Sequence, residues 1–432
     1  MAKRILKYDA VYNSIKENIL NDYLQANTKL ESIRDYAKKH DISTTTVEKA
    51  YNQLLVEGYI YSKPRSGFFV VDLEKVRTKA YKEQLPPIPY HRHKNDQITS
   101  NMFDLTEYKR VTNMILNHDQ DQLLTVCHPS GETELKNQIR AFLIEERNVH
   151  CDSNQIIIGA GIQPLLHILL SHIKKSKVMF LEPAFSKAIR IFQQYNYTLI
   201  GCDDFEDLLK NKADFLYISP SNMYPSGEIL KVSDRNKLIQ WANKNDSYII
   251  EDDYNYLMRY NSQVIPAIQS FDSNSVIYMG SFAKTLLPSL RMSYMVLPPK
   301  LYLIYKDNFA KHAQSVSKLE QLTVAKYMST GLYKKHLKKL AKNYKEKNEI
   351  ILDAIEPYLN EFLSISSTDS NLHIVFDFKQ ESMFNHFIKA CKIHQFKYKV
   401  IHNSSSIIFP YSGLENSDIP NIIESLLKIP TT

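Results

Sequence analysis

A lysine and an arginine stand close together in the segment YMGSFAKTLLPSLRMSYMVLP, residues 278–298. Lys284 follows an apolar run and a turn of small residues, Gly280 and Ser281, and Arg291 comes seven residues later. An amine at the end of a strand can attack a carbonyl group and form a Schiff base. Ser281 and Arg291 provide a hydroxyl and a guanidinium that can bind a phosphate. The competing interpretation of Lys284 is an ordinary surface lysine.

Three further segments end predicted strands with complementary chemistry. EDDY, residues 251–254, places Asp252 and Tyr254 where they can bind a protonated ring nitrogen and a phenolic oxygen. GAGIQP, residues 159–164, is a glycine turn that enters a helix, and the N–H groups of a helix start suit an anion. EPAF ends in Phe185, whose ring can stack on another ring. Each segment taken alone could also be a solvated turn.

Together these groups are the complete set of parts for pyridoxal phosphate. They are a Schiff-base lysine, a carboxylate for the pyridine nitrogen, a phosphate site and a stacking ring, all at predicted strand ends. We therefore predict a pyridoxal phosphate site and assign neither a catalytic residue nor a metal ligand. The residues assigned to the cofactor are Lys284, Asp252, Tyr254, Phe185, Ser281, Arg291, Gly161, Ile162 and Gln163.

The elements that must position these residues alternate between strand and helix from about residue 130. Short apolar runs such as NQIIIGAG, SKVMFLEP and SVIYMGS alternate with helical segments, which predicts a mainly parallel α/β sheet. Ligand sites in such sheets lie at the carboxyl ends of the strands. From about residue 330, LHIVFDF and SSIIFPY predict the strands of a small C-terminal α+β subdomain.

The first 71 residues predict a winged helix-turn-helix. Residues 8–19 have one apolar helical face, KLESIRDYAKKHDISTTTVEKAYNQLLVEGYI predicts two more helices, and YIYSKPRSGFFV predicts a basic β-hairpin. Ser43 and Thr45 are both candidate N-caps of the third helix. Thr45 has Glu48 three residues later, as in a capping box.

Residues 72–100 predict a linker between the two parts. QLPPIPYHRHKNDQITS contains three prolines, which favour an extended spacer. His91 and His93 could bind a metal, but no further ligand is near in the sequence, so we interpret them as part of a solvated linker. The predicted domains are therefore 1–71 and 101–432, with the linker between them.

The composition of this 432-residue chain, 44% hydrophobic and 23% charged, is typical of a globular protein with two or three domains. No run of about 18 apolar residues and no signal-peptide pattern occurs, so we expect a cytoplasmic protein without a membrane segment. The four scattered cysteines indicate neither disulfides nor a cysteine metal site. Residues 1–80 carry 14 Lys/Arg against 10 Asp/Glu, which is +4 of the net charge of +7 and a weak indication of nucleic-acid binding.

The combined motifs resemble a known family. SPSNMYPSGEIL, IEDDYNYLMRY and YMGSFAKTLLPSLRMSYMVLP are similar to the motifs of a fold-type-I aminotransferase domain, and residues 5–71 are similar to a GntR-type winged helix. The fusion resembles the MocR/GabR family of pyridoxal-phosphate-dependent transcriptional regulators over nearly the whole chain. The resemblance implies a homodimer, head-to-tail, that binds a double-stranded DNA operator.

The resemblance also assigns roles to single residues. Lys284 would form the Schiff base and Asp252 would pair with the pyridine nitrogen. Tyr224 stands where true aminotransferases carry the asparagine that binds the ring oxygen, so it joins the cofactor set. The DNA-binding set consists of Arg34, Ser43, Thr44, Thr45, Thr46 and Lys49 in the helices and of Lys63 and Arg65 in the wing.

Some positions depart from the family pattern. Glu31 replaces a proline, with little effect expected on DNA binding, Asn222 replaces a histidine, and Ser293 replaces a glycine. The largest departure is an absence, because the chain contains no arginine after Arg291. Aminotransferases normally use an arginine of the small subdomain to bind the substrate carboxylate, but the expected strand here reads SSSIIFPYSG.

The missing arginine shapes the functional hypotheses, since a planar bidentate fork is hard to replace with lysine. It argues against efficient transamination and against a free amino acid as effector. The leading hypothesis is a regulator that senses pyridoxal phosphate itself, as the end product of vitamin B6 synthesis. The alternatives are a regulator that senses an amino acid, an amine or a peptide-like ligand, a working aminotransferase fused to a DNA-binding module, and a dimerisation scaffold without cofactor.

The lysine-rich segment YKKHLKKLAKNYKEKNE, residues 333–349, permits two interpretations. Leu332, Leu337, Leu340 and Tyr344 can form a buried stripe that leaves the lysines solvated. Alternatively, the lysines add phosphate contacts along DNA.

Overall fold

The computed structural model describes residues 7–72, 93, 95, 102–173, 175–182, 185–254, 256, 265–308, 313–359, 363–366, 373–401 and 404–428. The chain divides into two compact units, Met1–Tyr90 and His91–Thr432. This division falls inside the range predicted as the linker, and the predicted domain boundaries at residues 71 and 101 stay predictions. His91 lies outside the described residues.

The first unit is a winged helix-turn-helix, as the sequence predicts. Its helices are α1 (Lys7–Leu20), α2 (Ile33–Lys39) and α3 (Thr44–Val56), and the wing is the antiparallel pair β1 (Ile60–Lys63) and β2 (Gly67–Val70). The apolar positions of α3 recur at helical spacing and are buried, so they form the centre of a small core with α1 and the wing. They are Val47, Ala50, Tyr51 and Leu54.

Serine caps begin α2 and α3. Ser43 Oγ accepts a hydrogen bond from the Thr46 N–H at 3.2 Å, and Ser32 Oγ accepts one from the Asp35 N–H at 3.2 Å. The capping box predicted from Thr45 and Glu48 is therefore wrong, because Thr45 already lies inside the first turn of α3. The helix begins one residue after Ser43, and Thr44 and Thr45 in its first turn are exposed, whereas Thr46 Oγ1 lies 2.7 Å from Ser43 Oγ.

The second unit begins with helices and then forms a seven-stranded sheet. The helices before the sheet are α4 (Leu105–His118), α5 (Gln120–Leu123) and α6 (Thr133–Arg147). The strands are β3 (Ile156–Gly159), β4 (Lys177–Leu181), β5 (Thr198–Cys202), β6 (Phe215–Ile218), β7 (Tyr248–Asp252), β8 (Val276–Ser281) and β9 (Ser293–Val296). The helices connecting or following them are α7 (Ile162–His172), α8 (Ser186–Gln194), α9 (Phe205–Lys210), α10 (Val232–Asn245) and α11 (Pro299–Lys306).

The strand order is β3-β9-β8-β7-β6-β4-β5, and this order decides where ligand groups can meet. Strands β8, β7, β6, β4 and β5 are parallel to one another. Strand β9 is antiparallel to both β3 and β8, so β3 and β8 run in the same direction. The carboxyl ends of all strands except β9 therefore share one edge of the sheet, as predicted for a mainly parallel α/β sheet.

A smaller subdomain follows α12 (Lys318–Ser329) and the long helix α13 (Leu332–Ile355). Its strands are β10 (Leu363–Ile365), β11 (His373–Phe378), β12 (Lys399–Val400) and β13 (Ser406–Pro410), and its helices are α14 (Glu381–Ile393) and α15 (Ile419–Leu427). The sheet is antiparallel with the order β10-β11-β13-β12. Strands β11 and β13 are the two that the sequence predicts.

Helix α13 buries the predicted stripe. Leu337, Leu340 and Tyr344 are buried, whereas Lys338 and Lys339 are exposed. One lysine breaks the pattern, since Lys347 is buried and its Nζ donates to the backbone oxygens of Ser412 at 2.9 Å and Leu414 at 2.5 Å. Within the described part of the chain, no helix is long and apolar enough to cross a membrane.

Asn95, inside the predicted linker, is attached to the small subdomain. Its side-chain Nδ2 donates to the carbonyls of Lys397 and Pro410, both at 2.9 Å, and its Oδ1 accepts from the Lys397 N–H at 2.9 Å. Its carbonyl accepts from the Gly413 N–H at 3.2 Å. His93 lies 3.0 Å from the Gln395 carbonyl through Nδ1. This end of the segment is therefore a docked part of the second unit, which corrects the view of it as solvated spacer.

Candidate functional site

The predicted cofactor residues follow the strands that end at the shared edge of the large sheet. Asp252 is the last residue of β7, Ser281 is the last residue of β8, and the glycine turn follows β3. Tyr224 and Phe185 lie in the loops after β6 and β4, and Lys284 comes three residues after β8. The fold thus brings segments that are up to 130 residues apart in sequence (from Gly161 to Arg291) to one side of the sheet.

Asp252 is a buried carboxylate with an incomplete set of partners. The Tyr217 hydroxyl donates to Asp252 Oδ2 from the neighbouring strand β6. The other oxygen, Oδ1, is buried and has no hydrogen-bond partner among the described residues. Burial raises the pKa of Asp252 to about 6, although the hydrogen bond from Tyr217 acts in the opposite direction. One buried acceptor is therefore available for a donor that the protein itself does not supply.

The acids on either side of Asp252 are paired within the protein, although Asp253 Oδ1, like Asp252 Oδ1, has no hydrogen-bond partner among the described residues. Asp253 Oδ2 accepts from Arg147 Nε at 2.7 Å and from the Tyr278 hydroxyl at 2.7 Å. Glu251 accepts from the backbone N–H groups of Ile268 at 2.8 Å and Gln269 at 3.0 Å. Asp253 and Glu251 also form ion pairs with Arg147 and Arg235, whereas Asp252 takes part in no ion pair among the described residues.

The glycine turn and Arg291 make an anion-binding corner. Gly161 has φ +105°, and a Cβ on it would lie 3.0 Å from Arg291 Nη2, so the guanidinium lies directly against the start of α7. The Gly161 N–H donates a hydrogen bond to the Gly159 carbonyl at 2.8 Å. The remaining donors are Ile162 and Gln163, whose N–H groups belong to the first helical turn and have no intrahelical acceptor. A helix start and a guanidinium both favour an anion.

Ser281 is oriented by a residue that looked like a departure in the sequence. Ser293 is the Cα partner of Ser281 across β8 and β9, and its hydroxyl donates to Ser281 Oγ at 2.9 Å. The Ala283 N–H also donates to Ser281 Oγ, at 3.2 Å. Ser293 is therefore a further candidate residue of this corner, and sequence reasoning missed it. The available signal was a serine at the end of one predicted strand and another at the start of the next. Lys284 follows this turn and is half-buried.

The aromatic groups of the site differ in exposure. Burial raises the pKa of the Tyr254 hydroxyl, and the nearby Asp252 carboxylate and Tyr224 hydroxyl raise it further. Tyr254 thus lies close to both of these residues. Phe185 is 43% exposed at the start of α8 and can offer a ring face. Asn222, two residues before Tyr224, is buried, and its amide atoms have no hydrogen-bond partner within the described ranges.

The small subdomain contacts Tyr224 through two side chains that sequence reasoning missed. His373 Nε2 lies 2.9 Å from the Pro225 carbonyl, and its ring centroid is 6.2 Å from that of Tyr224. Lys399 Nζ lies over the Tyr224 ring, 4.8 Å from its centroid. A histidine and a lysine in a predicted α+β region gave no sequence signal, because the contacts join segments about 150 residues apart or more.

The predicted DNA-binding residues lie on α2, on α3 and in the wing. Thr46 is half-buried, and the other seven are exposed: Arg34, Ser43, Thr44, Thr45, Lys49, Lys63 and Arg65. Lys63 Nζ lies over the Phe69 ring, 4.7 Å from its centroid, which holds the ammonium at the tip of the wing. Arg65 occupies the turn between the two wing strands with φ +61°. Hydroxyls at a helix start and cations on a hairpin can contact phosphates and bases.

No group of three or more potential metal-binding side chains occurs among the residues that the structure describes. His93, named above as a possible metal ligand, contacts the Gln395 carbonyl instead.

Comparisons with known proteins agree with this geometry. Residues 7–70 match the model of the bacterial regulatory proteins of the gntR family. The chain is 33% identical to the uncharacterized HTH-type transcriptional regulator YdeL of Bacillus subtilis, over 97% of this chain and 96% of that protein. It is 27% identical to the probable rhizopine catabolism regulatory protein MocR of Rhizobium meliloti, over 84% and 80%. It is 23% identical to the HTH-type pyridoxine biosynthesis transcriptional regulator PdxR of Corynebacterium glutamicum, over 79% and 77%.

The second unit has the fold of known aminotransferases. The structure of the multiple substrate aminotransferase from Thermococcus profundus superposes with a TM-score of 0.67 at 20% identity, covering 77% of this chain and 89% of that one. The resemblance predicted from the sequence motifs is confirmed at both ends of the chain. The chain belongs to the MocR type of GntR-family transcriptional regulators, in which a winged helix-turn-helix is fused to an aminotransferase-like domain.

Proposed function

We propose that this regulator binds pyridoxal phosphate at the carboxyl edge of the large sheet and that occupancy of this site changes its affinity for an operator. The observation that carries the proposal is the buried Asp252 Oδ1, which has no hydrogen-bond partner among the described residues. A protonated pyridine nitrogen supplies both the donor and the positive charge that this atom lacks. A buried acid with one open acceptor is costly to keep unless a ligand completes it.

The remaining residues fit the other parts of the same cofactor. Arg291 and the N–H groups of Ile162 and Gln163 would bind its phosphate, with Ser281 held in place by Ser293. Lys284 would attach it covalently, and the cofactor would supply a carbonyl that exchanges between primary amines. Tyr254 and Tyr224 would lie beside the ring oxygen, and Phe185 would cover a ring face. Gly161 keeps the space into which Arg291 reaches.

DNA binding belongs to the first unit. We infer that the start of α3 enters the major groove, with Thr44, Thr45, Thr46 and Lys49 facing the bases and backbone. Arg34 and Ser43 would contact the phosphates around it, and the wing cations Lys63 and Arg65 would contact backbone or minor groove. These contacts would depend on salt, since each bound phosphate releases counterions.

A homodimer, head-to-tail, would present two winged helices to paired half-sites. Two exposed apolar side chains support an interface in the second unit. Leu124 is 86% exposed and Val126 is 94% exposed in the segment between α5 and α6. Neighbouring exposed apolar groups of this kind are typical of association surfaces. A single-chain mass in light scattering at micromolar concentration would contradict the dimer.

The identity of the effector is the most specific part of the proposal. The absence of an arginine after Arg291 and the name of the relative PdxR both support pyridoxal phosphate itself as the signal, with vitamin B6 synthesis as the controlled process. An amine or amino acid acting on the cofactor-loaded protein is the second candidate. It is favoured by the position of Lys399 over Tyr224.

The test compares Lys284→Ala with the control Lys300→Ala, an exposed lysine at the start of α11. Wild type and Lys300→Ala should show the visible absorbance of bound pyridoxal phosphate, and Lys284→Ala should lose it. Operator affinity, measured on DNA selected from a randomised pool, should change by about 5- to 150-fold on cofactor addition in wild type, the span of a coupling of about 1–3 kcal/mol. Retention of the absorbance in Lys284→Ala would assign the attachment to another lysine. Identical operator affinity with and without cofactor would refute cofactor sensing.

A further inference from the structure

The small subdomain places one lysine where it can replace the missing arginine. Strand β13 is the strand on which the family pattern leads one to expect an arginine, and it contains none. Strand β12 pairs with β13, and Lys399 is the Cα partner of Ile408. A side chain on the neighbouring strand can therefore supply a cation close to the expected position, although the strand SSSIIFPYSG itself cannot.

The Lys399 ammonium is directed toward the candidate site. It lies 4.8 Å from the centroid of the Tyr224 ring, and Tyr224 is a residue of the loop after β6. The ring of Tyr224 is close enough to Tyr254 to raise the pKa of its hydroxyl, and Tyr254 lies two residues after Asp252. Lys399 therefore contacts the loop that carries Tyr224, and this loop follows β6, which ends at the same edge of the sheet as Asp252.

The loop and the small subdomain are joined at this point by a second contact. His373 on β11 approaches the Pro225 carbonyl at 2.9 Å, so the Tyr224 loop is fixed from two strands of the subdomain. Lys399 takes part in no ion pair with the carboxylates that the structure describes, and its ammonium is exposed. An ammonium resting on an aromatic face can exchange that modest attraction for a charge-assisted hydrogen bond to an anion.

We propose that Lys399 binds the carboxylate of a primary-amine ligand whose amino group would take the place of Lys284 on the cofactor's carbonyl carbon, one C=N bond being exchanged for another and Lys284 being released as the free amine. The ligand class is an amino acid or short peptide, in which an amine and a carboxylate are joined in one molecule. This inference rests on the proposed function, because the amine end requires bound pyridoxal phosphate. It also reverses the expectation drawn from the missing arginine, since the cation comes from a different strand.

The experiment uses full-length protein loaded with pyridoxal phosphate. Amino acids and the dipeptide alanyl-alanine are each titrated beside the matched amine without a carboxylate, for example alanine beside ethylamine. The change in the cofactor absorbance gives the half-maximal concentration of each ligand for the cofactor-loaded protein, expressed as the unprotonated amine because ethylamine is a stronger base than alanine. In wild type, at least one carboxylate ligand should act at a concentration about 10- to 100-fold lower than its matched amine, the contribution of one hydrogen bond to a charged group.

Three variants test whether Lys399 causes this difference between the carboxylate ligand and its matched amine. Lys399→Gln should bring the ratio between amine and carboxylate ligand to about one, and Lys399→Arg should keep most of it. Lys392→Gln, an exposed lysine on α14, should behave as wild type. A ratio near one in wild type, or an unchanged ratio in Lys399→Gln, would overturn the assignment of Lys399 and leave the proposed function standing. Failure of wild type to take up the cofactor would refute the proposed function and this inference together.

Discussion

Two neighbouring carboxylates at the end of β7 have opposite surroundings. Asp253 is enclosed on the inner side by Arg147 at 2.7 Å and the Tyr278 hydroxyl at 2.7 Å. Asp252, one residue earlier, faces the carboxyl edge with only the Tyr217 hydroxyl on one oxygen. Both are buried, so the difference lies in their partners and not in their exposure. Each has one oxygen without a hydrogen-bond partner among the described residues, but only Asp253 is paired with a cation. A buried carboxylate with a bound cation secures a fold, whereas a buried carboxylate without one indicates a ligand.

A buried cation of helix α13 supports the same conclusion. Lys347, a residue of that helix, is buried and donates to two backbone carbonyls. Burial lowers the pKa of its ammonium to about 8. Its partners come from the protein, so burial and a shifted pKa alone would not mark a site. The open acceptor distinguishes Asp252 from Lys347, and the lack of a paired cation among the described residues distinguishes it from Asp253.

Removal of Arg147 should have the largest effect of the three predicted changes, and this effect is on the free energy of unfolding. Arg147→Met leaves Asp253 buried and without its cation, and breaking a buried ion pair in this way costs about 3–5 kcal/mol of the free energy of unfolding. Arg140→Met, on an exposed arginine of the same helix α6, should cost less than about 1 kcal/mol. Urea unfolding of both variants measures the difference. Equal stabilities would mean that the partners of Asp253 do not secure the fold.

The second prediction concerns pH in the protein without cofactor. The pKa of Asp252 is raised by burial from 3.8 to about 6, so the folded state binds a proton more readily than the unfolded state. The contribution of Asp252 to stability is therefore fully present below about pH 4 and is lost as pH rises to about 6, by about 3 kcal/mol in total. Asp252→Asn should remove this slope. A stability difference between the two proteins that is constant from pH 4 to 7 would contradict it.

The third prediction concerns the affinity for pyridoxal phosphate. Asp252→Asn should weaken pyridoxal phosphate binding by about 10- to 150-fold, because the pyridine nitrogen loses a hydrogen bond to a charged acceptor. Asp203→Asn, on an exposed carboxylate just after β5, is the matched control and should bind as wild type. Equilibrium dialysis at pH 7.5 gives both dissociation constants. Unchanged affinity in Asp252→Asn would contradict a ligand-binding role for Asp252 that Asp253 does not share.

The sequence was most informative where the signal is local. Apolar runs ending in EDDY and GSFAK predict strand ends, and strand ends of a parallel sheet must meet at one edge. For that reason the fold class and the family are confirmed, while the roles of Lys284 and Asp252 in cofactor binding stay predictions. The prediction that failed locally was the Thr45 capping box, because Ser43 competes for the same helix start and its hydroxyl reaches the Thr46 N–H.

The remaining features depend on contacts between distant segments. Tyr217 and Asp252 meet because β6 and β7 are neighbours, and Ser293 reaches Ser281 through the β8–β9 register. Lys399 meets Tyr224 only after the small subdomain has folded against the large sheet. Neither periodicity nor motif spacing contains this information. The chain has no arginine after Arg291, and the replacement of that arginine by Lys399 on the adjacent strand stays a proposal.

Asn95 has a consequence for exchanging modules between such regulators. Its side chain binds both the N–H and the carbonyl of Lys397, two residues before Lys399, and it also binds the Pro410 carbonyl at the end of β13. A chimera that joins a foreign DNA-binding module at residue 90 keeps this connection, whereas one joined at residue 100 replaces Asn95 and loses it. The segment that carries His93 and Asn95 therefore belongs with the second unit, and a junction placed before residue 93 preserves the hydrogen bonds that attach this segment to the small subdomain.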